Sequence, residues 1–422
     1  MKNIETICVQ SGYQPKNGES RVLPIHQSTT FYYETPEQMA NLFDLSEDGH
    51  IYSRISNPTV ACLEAKLAEL EGGSGALACS SGLAAETIAI LTVCQAGDNI
   101  LALSTIYGGS YNLFNVTLRK YGIETRFLSP NATAEEIQSK IDDRTKLLFC
   151  ETVANPAMVV CDFDKLSAVC RKNGILFVVD NTLATPYLVK PLEHGANVVI
   201  HSTTKYMDGH ATCVGGMIVD GGNFEFDSAR YPDFTEPDES YHGLVYKDLK
   251  STAYVTKARV QYMRDIGACM SPFNAFLTNL GTETLHVRMQ RHSDNALKVA
   301  QMLQNHPQVE WVKYPGLQSD PQHALAAKYF RNGFSGMVVF GIKGGRQAAM
   351  EFQKSLKLMS VVTHIADVRS CCLHPASTTH RQLSDSDLKQ AGVSDNLIRL
   401  SVGIENVEDI LQDISQALDG VK

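Results

Sequence analysis

Three stretches of this sequence place a chemically capable side chain directly after a run of apolar residues. In the first, Asn197–Ile200 is followed by His201, Ser202, Thr203, Thr204 and Lys205. A free lysine, with a pKa of about 10.4, is charged, hydrated and non-nucleophilic near neutrality. Set just past the end of a buried strand it loses hydration, which favours the neutral amine that attacks an aldehyde. The hydroxyls of Ser202 and Thr204 can donate to a nearby phosphate. In the second, the wholly apolar Leu176–Val179 ends on Asp180. A carboxylate there needs a cationic or hydrogen-bonding partner to offset its desolvation. A protonated pyridine nitrogen would serve, and the contact would keep that ring a strong electron sink. In the third, Ala78 and Cys79 lead through Ser80, Ser81 and Gly82 into Leu83 and a helical pattern. Backbone amides at such a helix start make an anion site, and a glycine allows close approach. One exposed helix end contributes only about 0.3–1 kcal/mol, so several donors must converge. Taken singly, each stretch has a plain alternative: a surface lysine after an edge strand, a strand-end Asp capping the next helix, or an ordinary tight turn.

The three gain meaning only if a scaffold gathers their strand ends. Short apolar runs recur at Gly75–Cys79, Asn99–Leu103, Glu124–Leu128, Lys146–Cys150, Ile175–Val179, Asn197–Ile200 and Gly216–Val219. Stretches that suit helices lie between most of them, among them Leu83–Val93, Ser110–Lys120 and Lys165–Lys172, and Thr59–Leu70 precedes them, stopping at Gly72-Gly73. Continuous apolar runs alternating with helices predict an α/β fold with a mostly parallel sheet covered on both faces. Ligands then gather at the carboxyl ends of the strands. Beyond about residue 250, longer helical patterns at Thr252–Met263 and Thr284–Leu303 lead into strands near Val309–Tyr314, Gly336–Ile342 and Leu397–Val402, a second and smaller α/β domain. Residues 1–57 lack periodicity yet carry Phe31, Tyr32, Tyr33, Ile51 and Tyr52, which are costly to leave in water. They read as an arm that packs on something else.

Composition narrows the class. The chain has 422 residues, 44% of them hydrophobic, and a net charge of -9. No cluster of Lys and Arg offers a phosphate-backbone surface, so no nucleic-acid partner is expected. Eleven cysteines without a CxxC pair suit neither a disulfide scaffold nor a metal site. The N-terminus lacks a basic start followed by an apolar stretch, and no apolar run approaches the roughly 20 residues of a membrane helix. A cytoplasmic location without membrane association follows as the expectation. The Gly-x-Gly-x-x-Gly of dinucleotide binding is absent after the first strand, as is a P-loop.

Val179–Thr182, His201–Tyr206, Tyr52–Thr59 and His374–Ser377 together resemble the Cys/Met-metabolism family of pyridoxal-phosphate (PLP) enzymes. That family includes cystathionine γ-synthases and lyases, methionine γ-lyases and O-acetylhomoserine sulfhydrylases. The resemblance spans nearly the whole chain and implies the PLP-dependent transferase-like fold (fold type I, aminotransferase-like). By resemblance, Lys205 forms the Schiff base with pyridoxal 5'-phosphate and moves protons. Asp180 pairs with the pyridine nitrogen, while Ser81, Gly82, Leu83, Ser202 and Thr204 hold the phosphate. Tyr107 stacks on the ring and assists proton transfer. Arg399 clamps the substrate carboxylate as a bidentate pair, which lysine could not reproduce, and Asn155 lies on the substrate side. Tyr52 and Arg54 resemble residues lent to a neighbouring subunit's phosphate, which implies a homo-oligomer, a dimer of dimers. The implied division is an arm at 1–57 contacting a neighbouring subunit, a large PLP-binding domain at 58–267 and a small domain at 268–422.

Within the family, Tyr231–Gly243 looks like a loop typical of the sulfhydrylases, and Ser377–Leu383 also suits them. Gly109 stands where methionine γ-lyases usually carry cysteine. His364 is a departure, since these relatives usually have Ser or Asn there, beside the substrate carboxylate. A titratable imidazole at that place would alter substrate preference or pH response. The expected activity is γ-replacement, O-acetyl-L-homoserine plus sulfide giving L-homocysteine and acetate, in methionine and cysteine biosynthesis. The alternative is a γ-eliminating lyase that gives 2-oxobutyrate, ammonia and a thiol.

Overall fold

The computed structural model describes residues 2–379, 381 and 393–421. Of the Ser377–Leu383 segment, His380, Gln382 and Leu383 therefore lie outside the described residues. Every apolar run of the first half becomes a strand: β1 (Gly75–Cys79), β2 (Asn99–Leu103), β3 (Glu124–Leu128), β4 (Thr145–Glu151), β5 (Leu176–Asp180), β6 (Val198–His201) and β7 (Gly216–Asp220). They form one sheet in the order β1-β7-β6-β5-β4-β2-β3. The strands from β2 to β6 run parallel, and β7 alone is reversed, antiparallel to both β1 and β6.

The apolar runs are continuous because both faces are covered. Phe177 and Val179 of β5 enter one cluster, beneath helices Pro58–Glu71 and Phe163–Asn173. Leu176 and Val178 enter the opposite cluster, beneath Gly82–Leu91 and the helical stretch that begins at Ala253. A strand buried this way has room for polar side chains only at its ends.

The second sheet contains β8 (Val309–Lys313), β9 (Met337–Ile342), β10 (Ser360–Val361), β11 (Cys371–Leu373) and β12 (Leu397–Ser401), in the order β10-β11-β12-β9-β8. Helices Leu285–Asn305, Gly345–Ser355 and Val407–Asp419 bury their apolar stripes against it. Of its strands, β10 and β11 are too short to show a period, and the sequence pattern did not reveal them. Helix Pro272–Glu283 also went unread. Its start is well marked, with Ser271 accepting from the Asn274 N–H and Pro272 in the first turn. Yet Thr278, Asn279 and Thr282 are buried on it, which blurs the apolar stripe.

Residues 1–57 are more ordered than their lack of period suggested. Ile4–Gln10 is a helix whose Ile7 and Cys8 join the core of the chain's own large sheet. Pro36–Phe43 is a second helix, set by a capping box between Thr35 and Gln38. Tyr32 between them, Phe43 at the end of the second and Tyr52 beyond it remain exposed. All eleven cysteines are free. Among the described residues no helix is long and apolar enough to cross a membrane.

Phe177, fully buried in the strand that ends at Asp180, tests this layering. Phe177→Ala is expected to lower unfolding free energy by about 3–5 kcal/mol, read from the denaturation midpoint in urea. A loss under about 1 kcal/mol would contradict a close-packed layer at that point.

Candidate active site

The carboxyl ends of β1, β4, β5 and β6 open on a cavity of about 220 Å³. After β1 the chain turns through Ser81 into helix Gly82–Leu91. The Ser81 hydroxyl accepts from the Ala84 N–H at 3.1 Å and so fixes the first turn, leaving earlier amides free for an anion. Gly82 is required by contact: a Cβ there would lie 2.7 Å from the Cβ of Ser202. The phosphate-type turn after β1 and the hydroxyl run after β6 therefore touch through a bare backbone. Ser202 is held in turn by its N–H, which donates to the Thr182 hydroxyl at 2.8 Å. Thr204 exchanges hydrogen bonds with the Gly215 backbone.

One carboxylate ties the next two strand ends together. Glu71, at the end of helix Pro58–Glu71 and almost fully buried, accepts from the Asn181 side chain at 2.9 Å and meets His201 Nε2 at 2.6 Å. Asn181 directly follows Asp180 and His201 directly precedes Ser202, so Glu71 sets the spacing between the acid and the lysine turn.

Within the cavity, burial drives ionisable groups toward their neutral forms. Desolvation, helped by the Arg399 guanidinium, pushes the Lys205 amine down from 10.5 to about 8. Desolvation raises the Asp180 carboxyl, against the hydrogen bonds from Thr182 and the nearby His201, which favour its charged form. Glu86 and Glu151 are raised well above the carboxylate range, first by burial and then by the charge of Asp180. The second sheet contributes Arg399 from β12. This residue is 7% exposed; one of its terminal nitrogens donates to the Thr363 carbonyl at 3.2 Å, and its Nε is buried with no partner among the described residues. Asn155 Oδ1 and Glu86 Oε2 are likewise buried and unpartnered.

Of the residues singled out from sequence, Ser81, Gly82, Leu83, Tyr107, Asn155, Asp180, Ser202, Thr204, Lys205 and Arg399 all line this cavity. Three do not. His364 sits just behind the wall formed by its neighbours Thr363 and Ile365, half-buried, with desolvation and then Lys205 pulling its imidazole below the usual range. Tyr52 and Arg54 stack on each other, with the guanidinium carbon 5.2 Å from the ring centre, and do not line their own chain's cavity. The Tyr231–Gly243 loop packs elsewhere too. Phe234 stacks on Phe226 and Tyr241 donates to the Val260 carbonyl at 3.0 Å. Sequence reasoning missed Glu86, Glu151 and Thr182. Thr182 stood two residues past Asp180, and Glu151 ended an apolar run just as Asp180 did; that shared pattern was the available signal. Glu86 is one turn into a helix and gave none.

A mostly parallel sheet with a half-buried lysine, an acid and an anion-binding helix start at its carboxyl edge defines a cofactor-dependent enzyme of the PLP type. The sequence matches the model of the Cys/Met metabolism PLP-dependent enzyme family over residues 5–419, and the chain belongs to that family. It is 46% identical to an O-acetyl-L-homoserine sulfhydrylase of Thermus thermophilus, covering 98% of this chain and 99% of that one. Identity to an O-acetyl-L-homoserine sulfhydrylase of Leptospira meyeri is 44%, over 99% of this chain and 97% of the relative. A solved structure from Campylobacter jejuni, assigned as an O-acetylhomoserine (thiol)-lyase and holding a pyridoxyl-lysine phosphate, superposes with a TM-score of 0.96 at 37% identity, covering 99% of this chain and all of the other. The residues present fit the cofactor independently of these likenesses. Gly82 leaves the approach that a Cβ would fill, hydroxyls and helix amides offer phosphate donors, Asp180 offers a ring-nitrogen partner, and Lys205 offers an amine.

An amine near 8 is about one-tenth neutral at pH 7, against roughly one in several thousand for an ordinary lysine. Because only the neutral form attacks an aldehyde, the rate at which cofactor-free protein captures pyridoxal phosphate should climb with pH and level off just above 8. Stopped-flow absorbance measures this, and a rate still climbing in proportion to hydroxide beyond pH 10 would show that Lys205 is not depressed.

Proposed function

We propose that the chain catalyses γ-replacement on O-acetyl-L-homoserine, in which sulfide takes the place of acetate and L-homocysteine is released. The Cγ–O bond breaks, a Cγ–S bond forms, and the sulfide proton leaves with acetate. The observation that carries this reading is the Arg399 guanidinium, buried with an unsatisfied Nε in the same cavity as the depressed Lys205 amine. A buried cation without a carboxylate partner among the described residues calls for an anionic ligand, and an amino-acid carboxylate matches its fork. The sulfhydrylase relatives support the choice of leaving group and nucleophile.

The bound cofactor would supply an electron sink for charge that develops next to the substrate carboxylate. The rest is the work of the chain. Lys205 anchors the cofactor, and its amine then takes and returns protons along the substrate carbons; such steps contribute about 10²–10⁴-fold each. Asp180 holds the ring nitrogen charged. Ser81, Gly82, Leu83, Ser202 and Thr204 hold the phosphate. Tyr107, 51% exposed in the single chain, covers the cofactor ring and gives a proton to the departing acyl oxygen. Asn155, whose side-chain carbonyl oxygen is buried with no partner among the described residues, would meet the substrate. His364, between the lining residues Thr363 and Ile365 and held toward its neutral form, would bear on substrate preference and pH response from beside the substrate carboxylate.

The exposed Tyr52 and Arg54 complete the phosphate site of a second copy, so the working unit is at least a dimer and is best read as a dimer of dimers. Tyr32 and Phe43 on the same arm are exposed, apolar surface that such a contact could take up. The proposed division into an arm at 1–57, a large part at 58–267 and a small part at 268–422 follows the two sheets.

Three measurements test the reading. Protein loaded with cofactor should form homocysteine from O-acetylhomoserine and sulfide, while methionine or cystathionine alone should release little 2-oxobutyrate. The reverse pattern would replace replacement with elimination. Lys205→Ala should abolish turnover and leave no covalent cofactor after borohydride reduction and mass spectrometry. Arg399→Lys should lower kcat/KM roughly tenfold to a hundredfold, the value of a charged hydrogen-bonded contact. An Arg399→Lys protein with unchanged kcat/KM would remove Arg399 from substrate binding.

A further inference from the structure

Glu151 ends β4 in register with Asp180 of β5 and lines the cavity. Its two carboxylate oxygens serve two different loops. Oε1 accepts the backbone N–H of Tyr107 at 2.5 Å, and Oε2 accepts that of Asn155 at 3.3 Å. The Tyr107 loop follows β2, which pairs directly with β4, and the Asn155 loop follows β4 itself. Beyond these strands the two loops have no ladder between them, so the carboxylate is what spans the gap.

Tyr107 depends on this contact. Its side chain makes no capping bond, and its ring is about half exposed. The ring lies against the bare backbone of Gly109, where a Cβ would fall 2.4 Å from Tyr107 Cε1. Gly109 therefore fixes which way the ring can lie, and the amide held by Glu151 fixes where the ring starts. Burial and Asp180 raise the Glu151 carboxyl, and the two N–H donors pull the other way; with one oxygen held by each loop, the side chain is a two-point bracket whatever its charge.

We infer that Glu151 is a positioning residue, which brackets the Tyr107 and Asn155 loops across the cavity and acts on the reaction through the placement of the Tyr107 hydroxyl. The inference rests on the proposed role of Tyr107 as proton donor. An amide would not replace the carboxylate, since its NH₂ would face one of the two N–H donors and could only repel it.

The test is a double-mutant cycle on cofactor-loaded protein: Glu151→Gln, Tyr107→Phe and both together, each assayed for kcat and KM with O-acetylhomoserine and sulfide. The visible circular dichroism of the bound cofactor is recorded for each variant. With Tyr107 intact, Glu151→Gln should lower kcat roughly tenfold to a hundredfold, the scale of a misplaced catalytic group, with KM moved less than about threefold and the dichroism band altered. In the Tyr107→Phe background the same change should cost less than about threefold. Equal losses in both backgrounds, or an unchanged kcat in Glu151→Gln alone, would overturn the inference and leave the role of Tyr107 standing. An unchanged kcat in Tyr107→Phe alone would overturn that role, and the inference with it. Should Glu151→Gln not accumulate as folded protein, Glu151→Asp runs the same cycle with the same criteria, since its shorter arm cannot reach both amides.

Discussion

Burial of Lys205 at the carboxyl edge of the large sheet, in one cavity with Asp180, Glu86, Glu151 and Arg399, forces five ionisable groups to share a space poor in water. Each acid is raised and each base lowered, in every case first by desolvation. Such a site is unsettled without a ligand that brings its own charges. A phosphate, a protonated ring nitrogen and a substrate carboxylate supply the complement, one sign against the other. The architecture around the cavity reads as the means of keeping these groups apart at fixed distances until that complement arrives.

Those distances are set by polar contacts placed where the apolar strands end. Within β5 the side chains of Phe177, Val178 and Val179 are sealed on both faces, and a charge there would have no partner. The first place a carboxylate can stand is Asp180. The same holds for Glu151 on β4, while β6 ends on His201 and is tied to Asn181 through Glu71. The apolar core and the reactive edge are two outcomes of one rule, since the strands exclude polar groups along their length and concentrate them at their tips.

That rule made much of the molecule legible from residues alone. The runs ending at Cys79, Asp180 and His201 announced both the strands and the groups that follow them, and all three tips meet in the cavity. Arg399 came from resemblance; it sits in the middle of β12, a strand position that periodicity would assign to packing. What stayed hidden was hidden for physical reasons. β10 and β11 are too short for a period to show. Helix Pro272–Glu283 buries Thr278, Asn279 and Thr282 where a pattern reader looks for aliphatic residues. Glu86 reaches the cavity only because helix Gly82–Leu91 starts there, a fact of three dimensions that no neighbouring residue records. The arm at residues 1–57 has helices whose signals are capping residues, Thr35 with Gln38, rather than hydrophobic spacing.

The cavity draws its walls from two sheets. The large one brings the lysine and the acid, and the small one brings Arg399 and, on the loop before β11, Thr363 and Ile365. That loop is held at several spots: the Thr363 carbonyl accepts from Arg399, the Val368 N–H donates to the Gly209 carbonyl, and the Ala366 N–H donates to the Ser401 hydroxyl at 2.7 Å where Ala366 takes a φ of 65°. The lysine and the acid thus sit on one stretch of chain and this wall of the cavity on another. Variation at residues 363–365 would reshape that wall and leave undisturbed the sheet edge that carries Lys205 and Asp180.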